Sequence, residues 1–116
     1  MDRQLAEELI SHFPFLRPTR GIECGPGWFD VIRDLCEKIT KLDPRANYQI
    51  VKVGRSFGTL LIGDFYPTLP IQEAIYEAGR VSQRTCEFCG KPGCIRVKHD
   101  WRYAMCESCF DVGGRR

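Results

Sequence analysis

Two Cys-x2-Cys pairs stand near the C-terminal end, Cys86-Glu-Phe-Cys89 and Cys106-Glu-Ser-Cys109, with sixteen residues between them. A two-residue gap lets both thiolates of a pair turn toward one ion, and a hairpin between the pairs brings four soft ligands to a tetrahedral site. The spacing therefore predicts structural zinc held by Cys86, Cys89, Cys106 and Cys109. A zinc ion with four protein ligands keeps no open position, so the motif specifies a local fold and no reaction. Cys94 and His99 lie between the pairs and are the alternatives to a knuckle cysteine. Cys94 opens a strand directly after Gly93 and His99 sits at a hairpin tip, so neither position suits a ligand. Cys24 and Cys36 have no paired partners and read as a turn thiol and a small core residue.

Seven cysteines could form a disulfide framework, but an odd count, two tight knuckles and a polar, acid-bearing start without a secretory signal pattern favour metal in a reducing cytoplasm. No apolar run approaches the roughly 18 residues of a spanning helix. Catalytic groups are scarce. The two histidines are His12 at a helix end and His99, and there is no Gly-rich phosphate loop, nucleophile elbow or Cys-His pair. Asp30, Asp34 and Glu37 share part of a helix, where solvated charge explains them as well as acid catalysis would. An enzyme is not expected.

The net charge of +2 hides an asymmetry. Residues 1–79 carry 9 Lys or Arg against 11 Asp or Glu, whereas residues 80–116 carry 8 against 4. The basic residues of the second part are Arg80, Arg84, Lys91, Arg96, Lys98, Arg102, Arg115 and Arg116. Arg84, Lys91, Arg96, Lys98 and Arg102 are the candidates for meeting phosphates or an acidic protein surface. The plainer explanation is that a small zinc module is basic for solubility and to balance four thiolates on one divalent ion.

The elements that must position these residues amount to one α+β domain over 1–83, a zinc ribbon over 84–112 and a flexible tail over 113–116. Asp2 is placed to cap a short helix bearing Leu5, Ala6, Leu9 and Phe13, stopped by Pro14 and Pro18. Gly21–Gly27 forms a tight turn into a second helix whose stripe is Trp28, Ile32, Leu35, Cys36, Ile39 and Leu42, ending at Asp43-Pro44. Tyr48–Val53 and Thr59–Ile62 form an antiparallel hairpin joined through Gly54–Gly58. Thr68, with Pro70 behind it, opens a third helix whose stripe of Ile71, Ala74, Ile75, Ala78 and Val81 covers the hairpin, with Gly79 marking a bend.

The ribbon reads as knuckle, hairpin, knuckle, with strands over Cys94–Lys98 and about Trp101–Met105. Gly90, just after the second ligand, permits the positive φ that turns backbone amides toward sulfur. The turn at His99-Asp100 decides which residues share a face. A two-residue loop sets Lys98 opposite Trp101 and Arg96 opposite Tyr103, interleaving cations with aromatics that could stack on bases. A three-residue loop sets Lys98 opposite Arg102 and separates an apolar face of Ile95, Val97, Tyr103 and Met105 from a polar one. Register tends to follow the separation of buried from solvated faces, which favours the three-residue loop.

Three segments, Glu23–Lys38, Lys52–Leu60 and the Cys-x2-Cys-Gly-x-Pro-Gly knuckle, together resemble small proteins encoded by bacteriophages and prophages, over about residues 20–110. Those relatives usually carry a Lys-Phe-Gly-Gly-Leu-Arg hairpin core, of which Ser56-Phe57-Gly58-Thr59-Leu60 keeps only part. The resemblance implies a phage accessory protein with a C-terminal zinc ribbon and brings no activity with it. The function expected is that of a non-enzymatic interaction protein that binds a host or phage protein and modulates or inhibits it. The alternative is nucleic-acid binding through the basic C-terminal hairpin.

Overall fold

The computed structural model describes residues 1–43 and 47–111. The helix stop assigned to Pro44, the basic residues Arg115 and Arg116, and the 113–116 tail lie outside the described residues. The architecture is α+β, in the order α1 (Arg3–His12), a 3₁₀ turn (Pro26–Trp28), α2 (Phe29–Leu42), β1 (Gln49–Ser56), β2 (Thr59–Phe65), α3 (Leu69–Gln83), β3 (Cys94–Lys98), β4 (Trp101–Met105) and α4 (Glu107–Asp111). β1 pairs antiparallel with β2, and β3 pairs antiparallel with β4, as two separate two-stranded sheets. No described helix is long and apolar enough to cross a membrane.

Helical periodicity builds the core. In α2 the residues Val31, Ile32, Leu35, Cys36 and Ile39 are buried on one side, and α3 adds Ile71, Ala74 and Ala78. Together with the fully buried Trp28, Tyr48, Ile50 and Val53 they enclose the main core against the inner face of the first hairpin. Thr68 caps α3 by accepting the Ile71 N–H. Asp2 occupies the corresponding position at α1 but makes no side-chain cap bond. Gly79 does not bend α3, which continues unbroken to Gln83.

Both long edges of the first hairpin are covered. Residues 15–23 run alongside β1, where Arg17, Thr19 and Glu23 donate N–H groups to the carbonyls of Ile50, Val51 and Val53. On the other edge, the Leu60 N–H donates to the buried Ser82 hydroxyl of α3 at 2.9 Å. The hydroxyl in turn donates to the Gly79 carbonyl at 2.6 Å, so a buried polar group is fully used. β1 and β2 also run further than the apolar residues suggest, because Gly54–Ser56 pair with Leu61–Thr59 up to a two-residue turn at Phe57-Gly58. Both turn residues have positive φ, 52° and 78°, as a type I′ turn requires.

Candidate metal centre

The first cysteine pair lies in a tight knuckle. The Cys86 N–H donates to the Lys91 carbonyl at 2.8 Å, and the Gly90 N–H donates to the Cys86 carbonyl at 2.9 Å. Gly90 has φ +82°, the backbone freedom its position was expected to need. The second pair is built differently. In place of a second knuckle the chain turns into α4, so that Cys106 and Cys109 straddle its start and the Cys109 N–H points at the Cys106 sulfur from 3.4 Å.

The four Sγ atoms of Cys86, Cys89, Cys106 and Cys109 lie within 4.8 Å of one another. The Cys89 and Cys106 sulfurs are 3.5 Å apart. Tetrahedral zinc–sulfur bonds of about 2.3 Å imply sulfurs roughly 3.8 Å apart, so the donor set fits a single ion of that class. The thiols alone are electrostatically frustrated. The Cys109 N–H draws Cys106 down to about 7. Desolvation, reinforced by the neighbouring sulfurs, pushes Cys109 up to about 12 and raises Cys89 as well. Four sulfurs this close ionise together only when a cation supplies the opposing charge, and that is what a bound metal does. Cys94 is exposed and opposite Met105 in β3–β4, and His99 is at the turn; neither belongs to the cluster.

No protein-family model, curated protein or solved structure matches this chain.

The β3–β4 turn corrects the expected register. It has two residues, His99 and Asp100, with φ 53° and 67°, and Lys98 pairs with Trp101 while Arg96 pairs with Tyr103. The three-residue loop rested on a need to separate a buried from a solvated face. That need is weak here, since Ile95 and Val97 remain 38% and 59% exposed. With little core behind the hairpin, the twist match of a type I′ turn sets the register.

The five candidate binding cations do not share a surface. Arg96 and Lys98 lie over the ring of Phe110 in α4, with charge-to-centroid distances of 5.3 and 5.0 Å. Arg96 also donates to the Met105 carbonyl, and Lys98 to that of Phe110. Arg102, on the opposite face, stands 5.8 Å over the ring of Phe57. Arg84 and Lys91 are exposed beside the first knuckle.

The residue that spacing could not reveal is Glu87, inside the first knuckle and 0% exposed. Its Oε2 accepts the Gly25 N–H at 2.9 Å and pairs with Arg55 Nη1 at 2.7 Å. Its carbonyl accepts the Gly27 N–H at 2.7 Å, and its own N–H donates to the Ala104 carbonyl at 2.8 Å. Trp28 adds an indole bond to the Thr85 carbonyl at 2.9 Å. Gly27 is needed for this close approach, because a Cβ there would strike the Cys86 carbonyl oxygen and lie 2.5 Å from the Gly90 nitrogen. The knuckle is thus fastened to the turn before α2 and to the tip of β1. An acid between two cysteines carries no sequence mark of burial; the nearest signal was the Gly25-Pro26-Gly27-Trp28 turn, which is richer in glycine than a helix start requires.

Proposed function

We propose that this protein is a non-enzymatic interaction module in which a structural zinc ion holds a binding hairpin against an α+β body. The observation that carries the reading is the four-sulfur cluster. With four cysteines at one ion, no coordination position is left for substrate or activated water. All-thiolate donors suit zinc among the divalent metals, and keeping them reduced suits the cytoplasm.

Of the two partner classes, nucleic acid is the better supported. Arg102 stands over the exposed Phe57 ring, and Trp101 lines the same cleft, so a cation and two aromatics lie side by side. The reading as a phage or prophage accessory factor that modulates or inhibits a host protein draws on the sequence resemblance. The metal-loaded protein, used as bait in a host lysate with and without nuclease, separates the two. Nuclease-sensitive capture supports nucleic acid, and nuclease-resistant capture of a host protein supports the second reading. Metal-dependent hydrolysis that is lost on changing a non-ligand acid overturns the non-enzymatic assignment.

A further inference from the structure

We propose that the adjoining tips of the two hairpins form a site for single-stranded nucleic acid, with bases stacking on Phe57 and Trp101 and phosphates pairing with Arg55 and Arg102. This deepens the nucleic-acid reading above and rests on it.

The two tips meet. Arg102 stands 5.8 Å over the Phe57 ring and Arg55 5.6 Å over the Tyr103 ring. A Cβ on Gly58 would lie 2.7 Å from the Ile95 Cδ1, which measures how closely the β1–β2 tip approaches β3. Between the tips is a cleft of about 450 Å³ lined by Arg55, Ser56, Phe57, Asp100, Trp101 and Arg102. That volume falls in the range of roughly 300–1,000 Å³ found for small-ligand sites.

Stability does not account for the aromatics. Phe57 sits at φ 52°, in a turn position that Asn, Asp or Gly fills without strain, and it is 74% exposed. A bulky residue kept at a strained position without burial points toward function. Tyr66 shares the positive φ and the exposure, yet no cation–aromatic pair among the described residues includes it. Trp101 is 68% exposed at the other tip.

The cations complement a phosphodiester. Arg55 spends Nη1 on the buried Glu87, which fixes the guanidinium at the cleft wall. Arg102 has no carboxylate partner among the described residues. Asp100 on the rim supplies an acceptor for a base amino group and opposes a dense array of phosphates. Two largely exposed rings need bases whose faces are accessible. A single strand offers them along its length, and a duplex only at its ends.

The test uses the metal-loaded full chain, a labelled oligodeoxythymidylate and a duplex of equal length. Anisotropy gives the affinities, and tryptophan emission reports on Trp101, because the other tryptophan, Trp28, is 0% exposed. The single strand is expected to bind more tightly than the duplex and to quench the emission. Its log affinity should fall with log salt with a slope of about −1.4, at about 0.7 for each of two phosphate contacts. Phe57→Asn should weaken binding by about 5- to 150-fold while the thermal midpoint holds or rises, since Asn tolerates the left-handed region. That combination is what a merely structural Phe57 would not give. Trp101→Ser should weaken binding over the same range, and Trp101→Phe should keep most of it. The site is overturned if the oligonucleotide does not bind at low salt, if the duplex binds equally well, or if Phe57→Asn and Trp101→Ser bind like the parent. Should the oligonucleotide fail while nuclease-resistant capture of a host protein succeeds, this site falls and the zinc-held interaction module stands.

Discussion

The molecule contains the same local device twice, a two-stranded hairpin closed by a two-residue turn with both φ values positive, and holds it in two different ways. β1–β2 lies over a core that draws on α1, α2, α3 and the 15–23 segment. The 15–23 segment pairs with its β1 edge, α3 packs beside β2 with Ser82 taking the Leu60 N–H, and its register follows from what it buries. Among the described residues, β3–β4 gives Ala104 to the main core and has beneath it a second cluster of three buried residues, Cys86, Met105 and Cys106, two of them proposed ligands. Apolar burial alone holds so small a unit poorly, and the four-sulfur cluster is placed to supply metal coordination instead. On the metal reading, the order of this end of the molecule would depend on an ion. What it gains is a hairpin with only Ala104 and Met105 committed to a core, while Val97 and Trp101 stay exposed.

Removing the metal should break the comparison most severely. Structural cysteine sites in small zinc peptides are worth on the order of 10–16 kcal/mol, so a strong chelator should strip amide-exchange protection from about residues 84–111. Protection in α2, α3 and β1–β2 should persist, because their burial involves no ion. Equal loss in both halves would show one cooperative unit. Spectra and mass that ignore the chelator would remove the metal assignment.

The next effect tests the fastening between the halves. Gly27→Ala drives a methyl group into the knuckle backbone at Cys86 and Gly90 and should cost about 3 kcal/mol in denaturant unfolding. A change at Gly21, where an added Cβ meets nothing within 4 Å, is the control for turn strain alone. Ser82→Ala acts only on the first hairpin. It strands the buried Leu60 N–H and should cost about 2 kcal/mol without changing metal content.

A change of pH acts on both halves at once, and the two kinds of cysteine respond to it in opposite senses. Burial pushes Cys24 and Cys36 up from 9.0 to about 12, so the folded core keeps protons that the unfolded chain releases. That contribution is complete below pH 9 and is lost between pH 9 and 12, at about 1.4 kcal/mol per thiol per pH unit. Metal-bound thiolates fail instead as pH falls, because protons compete for sulfur. Alkaline melts should therefore weaken the main core first, and acid should release the metal end first. Exchange measured at both extremes checks the order.

How far the sequence could be read follows the range of the interactions. Helical periodicity placed α1, α2 and α3 within a residue or two, because an amphipathic stripe is written locally. The four sulfurs were legible for the same reason, since knuckle geometry needs only two intervening residues. The length of β1 and β2 was not, because Gly54-Arg55-Ser56 carries no strand preference and pairs only through its partner strand. The register of β3–β4 was misread, since the rule applied to it presumes a fully buried apolar face, and Ile95 and Val97 stay 38% and 59% exposed.

The sequence by itself therefore determined the three long helices, the presence of two hairpins, the α+β class and which cysteines would converge, all consequences of residue type at short spacing. Tertiary structure alone decided that Glu87 is buried on Arg55 and Gly25, that Arg96 and Lys98 are occupied by Phe110, and that Phe57 and Trp101 share a cleft. Those pairings join residues 12 to 62 positions apart, and whether a charge or a ring faces solvent depends on what the rest of the chain brings beside it.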